Sequence, residues 1–268
     1  FLLSLLGLLQ FTNIRYKRDI LLIGSGLFMI FIIGFRDISV GIDSIQYYKF
    51  FIGIDNSDYL EIGFRVLQNI LGLLTDSYTI YFFVISTITI VLFLKFIKYT
   101  SFNLFFSILI FYSMFFIPAT NLMRQWLSLS IGIYSLYFFE NQKNGKGMLS
   151  IIISAAFHFS GFMFLLIPIL YALNKKINVF IFSIILSIIF LTFNNQIFSL
   201  FLLLSPGRYS EYFTNSVFFG TGDFYIKTLI YFLITCSIVY FSGSNGVLVS
   251  TVSVLVFELE VHGKSEFC

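Results

Sequence analysis

Apolar residues fall along this chain in long blocks separated by short polar breaks, not on single faces of otherwise polar segments. A helix that crosses a bilayer needs roughly 20 apolar residues, fewer where the bilayer thins. By that measure 1–11, 20–35, 78–94, 102–118, 126–139, 148–157, 159–173, 177–193, 224–241 and 247–257 are candidate spans, the first partial and several short. Transmembrane strands would alternate apolar and polar residues, and these blocks do not. The expected fold is all-α: a polytopic integral membrane protein of about ten transmembrane helices, whose extracytoplasmic loops form the site.

The breaks assign the sides, because Lys and Arg accumulate in cytoplasmic loops. With alternating segments, Arg15, Lys17, Arg18, Lys95, Lys98, Lys143, Lys146, Lys175 and Lys176 share one side with only Asp19 and Glu140 as acids. The other side collects Arg36, Lys49, Arg65, Arg124, Arg208 and Lys227 against eight carboxylates, which marks it as external. The run 146–175 tests the scheme. As one helix it would reach about 43 Å and strand a basic cluster outside; as a hairpin it returns both clusters to the cytoplasm, with His158 at the tip and legs of about 21 Å, short of a hydrocarbon core of about 30 Å. The hairpin is expected, with His158 in a cavity below the outer surface.

Composition agrees with the pattern. The 268 residues are 58% hydrophobic and 11% charged, against about a quarter charged in soluble domains. Cys236 and Cys268 have no disulfide or metal spacing, and no metal is expected. The partial first block reads as a missing true N-terminus. Val247–Val261 holds six valines against seven in the preceding 246 residues. The chain therefore reads as one membrane domain over 1–246 and an atypical valine-rich tail over 247–268, foreign or frameshifted.

The break most in need of explanation is FRDISVGIDSIQYYKFF, from Phe35, continued by EIGFR at Glu61: three cations and five carboxylates against a greasy run. A turn alone takes about four to six residues, so this stretch is expected to be a site. Arg36, Arg124, His158 and Arg208 each fall at or beside the outer end of an apolar block. One such Arg is an ordinary headgroup anchor. Three converging guanidiniums suit a pyrophosphate, which takes bidentate hydrogen bonds. Asp43 and Glu61, close to Gly41 and Gly63, could take a proton from a sugar hydroxyl, whereas Asp55 and Asp58 read as solvated loop acids. His158 is by default an interior histidine, but Ser160 and Gly161 beside it make a polar notch. Tyr47, Tyr48, Tyr209 and Tyr212 could stack on sugar faces, or anchor at the interface as Tyr commonly does.

The ordered set of Arg36 with GIDSIQYY, EIGF at Glu61, NLMRQ ending at Gln125, AFHFS around His158 and RYSEYF at Arg208 resembles the EpsG family of Wzy-like polymerases over roughly 20–241. The resemblance implies a multi-pass enzyme of the bacterial plasma (inner) membrane. Such an enzyme joins undecaprenyl-pyrophosphate-linked oligosaccharide repeat units into exopolysaccharide, capsule or O-antigen on the outer face. Donor and acceptor are both lipid-linked. The further partners are the bilayer, a flippase and a chain-length regulator, with no nucleic acid and no cofactor. Arg36, Arg124 and Arg208, with Gln125 and the four tyrosines, would bind substrate; His158 would be the base, with an unperturbed pKa of about 6.5, oriented or replaced by Asp43 or Glu61.

Two other classes fit a chain of this kind. A lipid-linked oligosaccharide flippase or other transporter would carry cations inside its helices and show repeat symmetry, whereas here the cations cluster outside and no internal repeat is visible. A polysaccharide-modifying membrane acyltransferase would need to receive its donor from the cytoplasmic side, where the chain offers only short basic loops.

Overall fold

The computed structural model describes residues 16–41, 43–55, 60–101, 103–173 and 192. Among the described residues all regular structure is helical and there is no strand. Two compact units divide the chain, Phe1–Phe164 and Leu165–Cys268.

In the first unit, α1 (Lys17–Gly34) lies antiparallel to α4 (Tyr78–Thr100). Three contacts fix the pairing. Lys98 Nζ meets Asp19 Oδ1 at 2.9 Å, Gly26 takes the Leu94 side chain, and Gly34 packs on the Phe83 backbone, where a Cβ would come within 2.8 Å of its Cα. The Lys98 pair is half exposed and contributes little stability; the two glycines are what let the backbones approach. α1 is apolar on both sides, with Leu22, Met29 and Ile33 buried and Ile23, Leu27 and Phe31 exposed. Of the described helices, α4 alone, 23 residues and about 35 Å, passes as long and apolar enough to cross a membrane.

α5 (Leu104–Asn121) leads into α6 (Met123–Gly132) and α7 (Tyr134–Glu140), so the block expected at 126–139 is one helical run interrupted at Ile133. Gly132 sits under the Phe164 ring there. A turn with Gln142 at φ 58° then reverses the chain into α8 (Asn144–Phe157). α8 returns along α6: Gly147 packs on Phe139, Ser150 Oγ donates to the Ile131 carbonyl at 2.6 Å, and Ser128 and Ser154 each donate to the other's carbonyl at 2.7 and 2.8 Å. Small residues with paired hydroxyls bring these helices close and satisfy the hydroxyls of Ser128, Ser150 and Ser154.

The two antiparallel pairs explain how sites far apart in sequence meet. Lys17 and Arg18 share one end of the α1–α4 pair with Lys95 and Lys98, leaving Arg36 at the opposite end. Lys143 and Lys146 lie at the α7–α8 turn, leaving Arg124 and His158 together at the far end of α6 and α8. α8 stops at His158, whose backbone is extended (φ −158°, ψ 139°), and a 3-10 turn follows over Phe159–Leu165. Gly161 N–H donates to the His158 carbonyl at 2.9 Å, and Gly161 packs on Ser154 and Ala155. The break expected at His158 is therefore present. In the second unit the described helix is α9 (Leu166–Leu173).

The stretch read from sequence as a charged loop holds two helices, α2 (Ser44–Phe51) and α3 (Ile62–Leu74). Phe64, Gln68 and Leu71, spaced by four and three, face inward on α3. Tyr47, Phe50, Phe64, Leu71, Tyr81, Phe82, Met123 and Leu127 form one buried cluster joining α2, α3, α4 and α6. The outer face of α3 is also apolar, with Ile62, Val66, Ile70 and Leu73 exposed.

Candidate functional site

Three helix ends meet around Glu61. Glu61 is the extended residue that opens α3, Arg124 lies in the first turn of α6, and His158 closes α8. A carboxylate at a helix N-terminus is favoured by the helix dipole. Arg124 Nη1 donates to Glu61 Oε2 at 2.6 Å, in a pair whose side chains are each 15% exposed. Arg124 Nε donates to the Tyr47 hydroxyl at 3.4 Å, and its guanidinium carbon stands 5.6 Å from the Tyr47 ring centre. The other Glu61 oxygen, Oε1, accepts the Phe159 N–H at 3.4 Å and lies 4.0 Å from His158 Nε2. Burial raises the Glu61 pKa, but the Arg124 charge, the neighbouring His158 and the hydrogen bond from Phe159 outweigh it, so the carboxyl sits below its ordinary value.

The His158 ring is held from behind. Ser160 N–H donates to Nδ1 at 3.2 Å, with the Ser160 hydroxyl 2.9 Å away. A backbone N–H can only donate, so Nδ1 is the acceptor there. The neutral ring therefore carries its proton on Nε2, on the side of Glu61.

A single glycine permits this convergence. A Cβ on Gly63 would lie 2.7 Å from the Ala156 carbonyl oxygen and 2.9 Å from its carbon, both backbone atoms that cannot swing aside. Gly63 thus serves the packing of α3 on α8, not a turn around the acid. Gly63→Ala is expected to push α3 outward, lengthen the Glu61 to His158 separation and lower the thermal stability of the solubilised protein, although no polar group is removed. Thermal unfolding of wild type and variant checks this, and an unchanged midpoint would detach the site from this contact.

Arg36 occupies the neighbouring space. It is buried, and Nη1 donates to the Ile33 carbonyl at 2.9 Å, Nη2 to Ser44 Oγ at 3.1 Å and to Met123 Sδ at 3.0 Å; the guanidinium also lies 4.4 Å from the Phe82 ring centre. Burial lowers its pKa to about 10, partly countered by Tyr47 and Tyr81, so it remains a cation near neutrality. It ties the end of α1 to α2 and α6, beside a cavity of about 10 Å³, the room of one water. Tyr81, in the same buried cluster as Tyr47 and Met123, has no hydrogen-bond partner for its hydroxyl among the described residues.

The remaining sequence candidates spread out. Asp43 begins α2, two residues after Gly41, whose φ of 95° and closeness to Asn121 Oδ1 require glycine. Tyr48 packs edge-on against Tyr78 at 5.8 Å. Gln125 is buried in α6, about 100° around the helix from Arg124. Arg208, Tyr209 and Tyr212 lie outside the described residues. Sequence reading missed Ser44 and Met123 as anchors of Arg36, and the Phe159 N–H as a donor to Glu61. The first two lie inside the GIDSIQYY and NLMRQ motifs. A backbone donor leaves no mark in sequence. Among the described residues no group of three or more His, Cys, Asp or Glu side chains could hold a metal ion.

Comparison with characterised proteins and with solved structures returns no match. The sequence model described as the EpsG family matches residues 19–257, beyond the 241 at which the resemblance was expected to end. The chain that brings Glu61, Arg124 and His158 together is thus a member of the EpsG family, a Wzy-like family of membrane-associated proteins of polysaccharide biosynthesis.

Proposed function

We propose that this protein is a multi-pass polymerase of the bacterial inner membrane that joins undecaprenyl-pyrophosphate-linked oligosaccharide units on the outer face. The observation that carries the reading is the part-buried Arg124 to Glu61 ion pair with His158 beside it, at the end of the helices opposite the basic loops. In the reaction the acceptor hydroxyl oxygen bonds to the anomeric carbon of the donor sugar. The bond from that carbon to the pyrophosphate oxygen breaks, and the electron pair leaves on lipid pyrophosphate. Two groups are needed: a cation for the developing charge and an acceptor for the hydroxyl proton.

Arg124 supplies the first and Glu61 the second. At rest Arg124 holds the Glu61 carboxylate ionised and weakly basic. A bound pyrophosphate draws on the same guanidinium, which loosens the pair and restores the basicity of Glu61 when a substrate is present. The 4.0 Å between Glu61 Oε1 and His158 Nε2 is too long for a direct hydrogen bond, and one hydroxyl oxygen can stand within reach of both. Its proton passes to Glu61 while His158 Nε2–H orients the oxygen. Arg36 acts as a fixed buried charge that positions α2, and Arg208 and the tyrosines Tyr209 and Tyr212 are retained as substrate ligands. A flippase and a chain-length regulator are the natural neighbours of such an enzyme.

A deletion strain tests the reaction class. Single lipid-linked repeat units are expected to accumulate on the outer face; accumulation on the cytoplasmic face would instead mark a flippase, and full-length polymer lacking only acyl groups an acyltransferase.

A further inference from the structure

A second concave site lies along α3, the helix that Glu61 opens. Between α2 and α3 is a groove of about 390 Å³, within the usual size of small-molecule sites. Phe50 and Phe51 form its apolar wall, and Asp55, Gln68 and Asn69 its polar one. No Lys or Arg is among the lining residues, so the groove offers nothing to a pyrophosphate. Amide and carboxylate groups placed beside aromatic carbon are what neutral, hydroxyl-rich rings require: donors and acceptors for the hydroxyls, and an apolar face for the C–H groups.

Two details define the polar wall. Gln68 is 4% exposed and its Oε1 is enclosed, so the polar atoms within reach of a ligand on this wall are chiefly those of Asp55 and the exposed Asn69. Asp55 is held in place by Gln46, whose Nε2 donates to its Oδ2 at 2.9 Å. The floor is open because it is glycine: a Cβ on Gly72 would meet only Phe51 Cε2, at 3.9 Å.

We infer that this groove is a carbohydrate subsite that holds an uncharged sugar of the repeat unit away from the reacting end. Gln68 lies seven residues along α3 from Glu61, about 10 Å, so a glycan anchored in the groove can extend to the ion pair. The assignment of that glycan as substrate rests on the polymerase reading. The groove sets which repeat unit is elongated, through sugar hydroxyls, while Arg124 senses the pyrophosphate common to all such substrates.

The test uses the purified full chain and, as probe, the lipid-free oligosaccharide released by mild acid from the strain's own lipid-linked pool, with binding followed by saturation-transfer NMR and titration. Wild type and Glu61→Gln are expected to bind alike. Gly72→Leu, which fills the floor, is expected to bind at least tenfold more weakly, and in elongation assays to raise KM with kcat little changed. Asn69→Ala, an exposed change with no packing role, gives the same direction should the leucine disturb folding. Absence of binding by wild type, or binding by both variants within twofold of wild type, overturns the subsite, and that includes the outcome in which a lipid chain fills the groove. Oligosaccharide binding that is lost in Gly72→Leu, in a protein whose deletion accumulates no repeat units, would leave the subsite standing and remove the polymerase reaction.

Discussion

Glu61→Gln is expected to abolish most chain elongation, by about 10² to 10⁴, the usual contribution of a general base. The substitution keeps the size of the side chain and one acceptor oxygen, which can serve Arg124 or the Phe159 N–H but not both, and it removes the capacity to take a proton. His158 gives the contrast. Because Ser160 occupies Nδ1, the imidazole presents a donor to the site, and a glutamine amide presents a donor too. His158→Gln is expected to keep elongation within about tenfold of wild type, or 1.4 kcal/mol of barrier. Glycan length and single-turnover rates at matched abundance decide the matter. A His158→Gln loss as deep as that of Glu61→Gln would make the imidazole the base and Glu61 its orienting partner.

The second large effect concerns stability. Removing one partner of a fully buried ion pair costs about 3 to 5 kcal/mol; this pair is part-buried, each side chain 15% exposed, so its cost has the same sign and falls below that range. Arg124→Met strands the Glu61 carboxylate between Phe159 N–H and His158, and is expected to lower the thermal stability of the detergent-solubilised protein and its level in the membrane. Adding Glu61→Gln should restore much of both, since the buried charge is then gone, while elongation stays lost. Failure of the double variant to recover would mean that the pair is not what holds α3 against α6. The pH dependence has a definite sign. Glu61 is held below its ordinary pKa, so the pair's contribution is fully present above the unfolded glutamate value, near 4.5, and is lost as pH falls through the lower folded value. Between pH 6 and 8 the wild type should therefore show no stability change from this group.

His158 illustrates how far local sequence carries. Its flanking basic clusters demanded a break, and the chain does leave α8 there. The same reasoning could not reveal its tautomer, because that depends on a backbone N–H two residues on, aimed by a 3-10 turn. Arg36 illustrates what local sequence leaves out. As a cation at the end of an apolar block it reads as a candidate ligand, and its donors to Ser44, the Ile33 carbonyl and Met123 emerge only from the folded chain.

What the sequence determined by itself is whatever one element's surroundings impose on it. Apolar blocks without polar faces make apolar helices, and among the described ones α4 is long and apolar enough to cross a membrane, where backbone groups must bond within their own segment. Clustered Lys and Arg select one end of those helices, and the candidate set of arginines, acids and histidine follows from where charge interrupts the blocks. Tertiary structure alone decided which acid meets which cation. Glu61 and Arg124 are 63 residues apart, and Glu61 and Phe159 are 98 apart. Nothing in either local pattern favours Glu61 over Asp43. The choice falls to Gly63, because only a residue without a Cβ lets α3 touch the backbone of α8, and that contact carries the carboxylate to Arg124 and His158. α2 and α3 escaped a reading based on long apolar blocks for a related reason. Their few inward residues, such as Phe64 and Leu71, become a core only when α4 and α6 supply the other half.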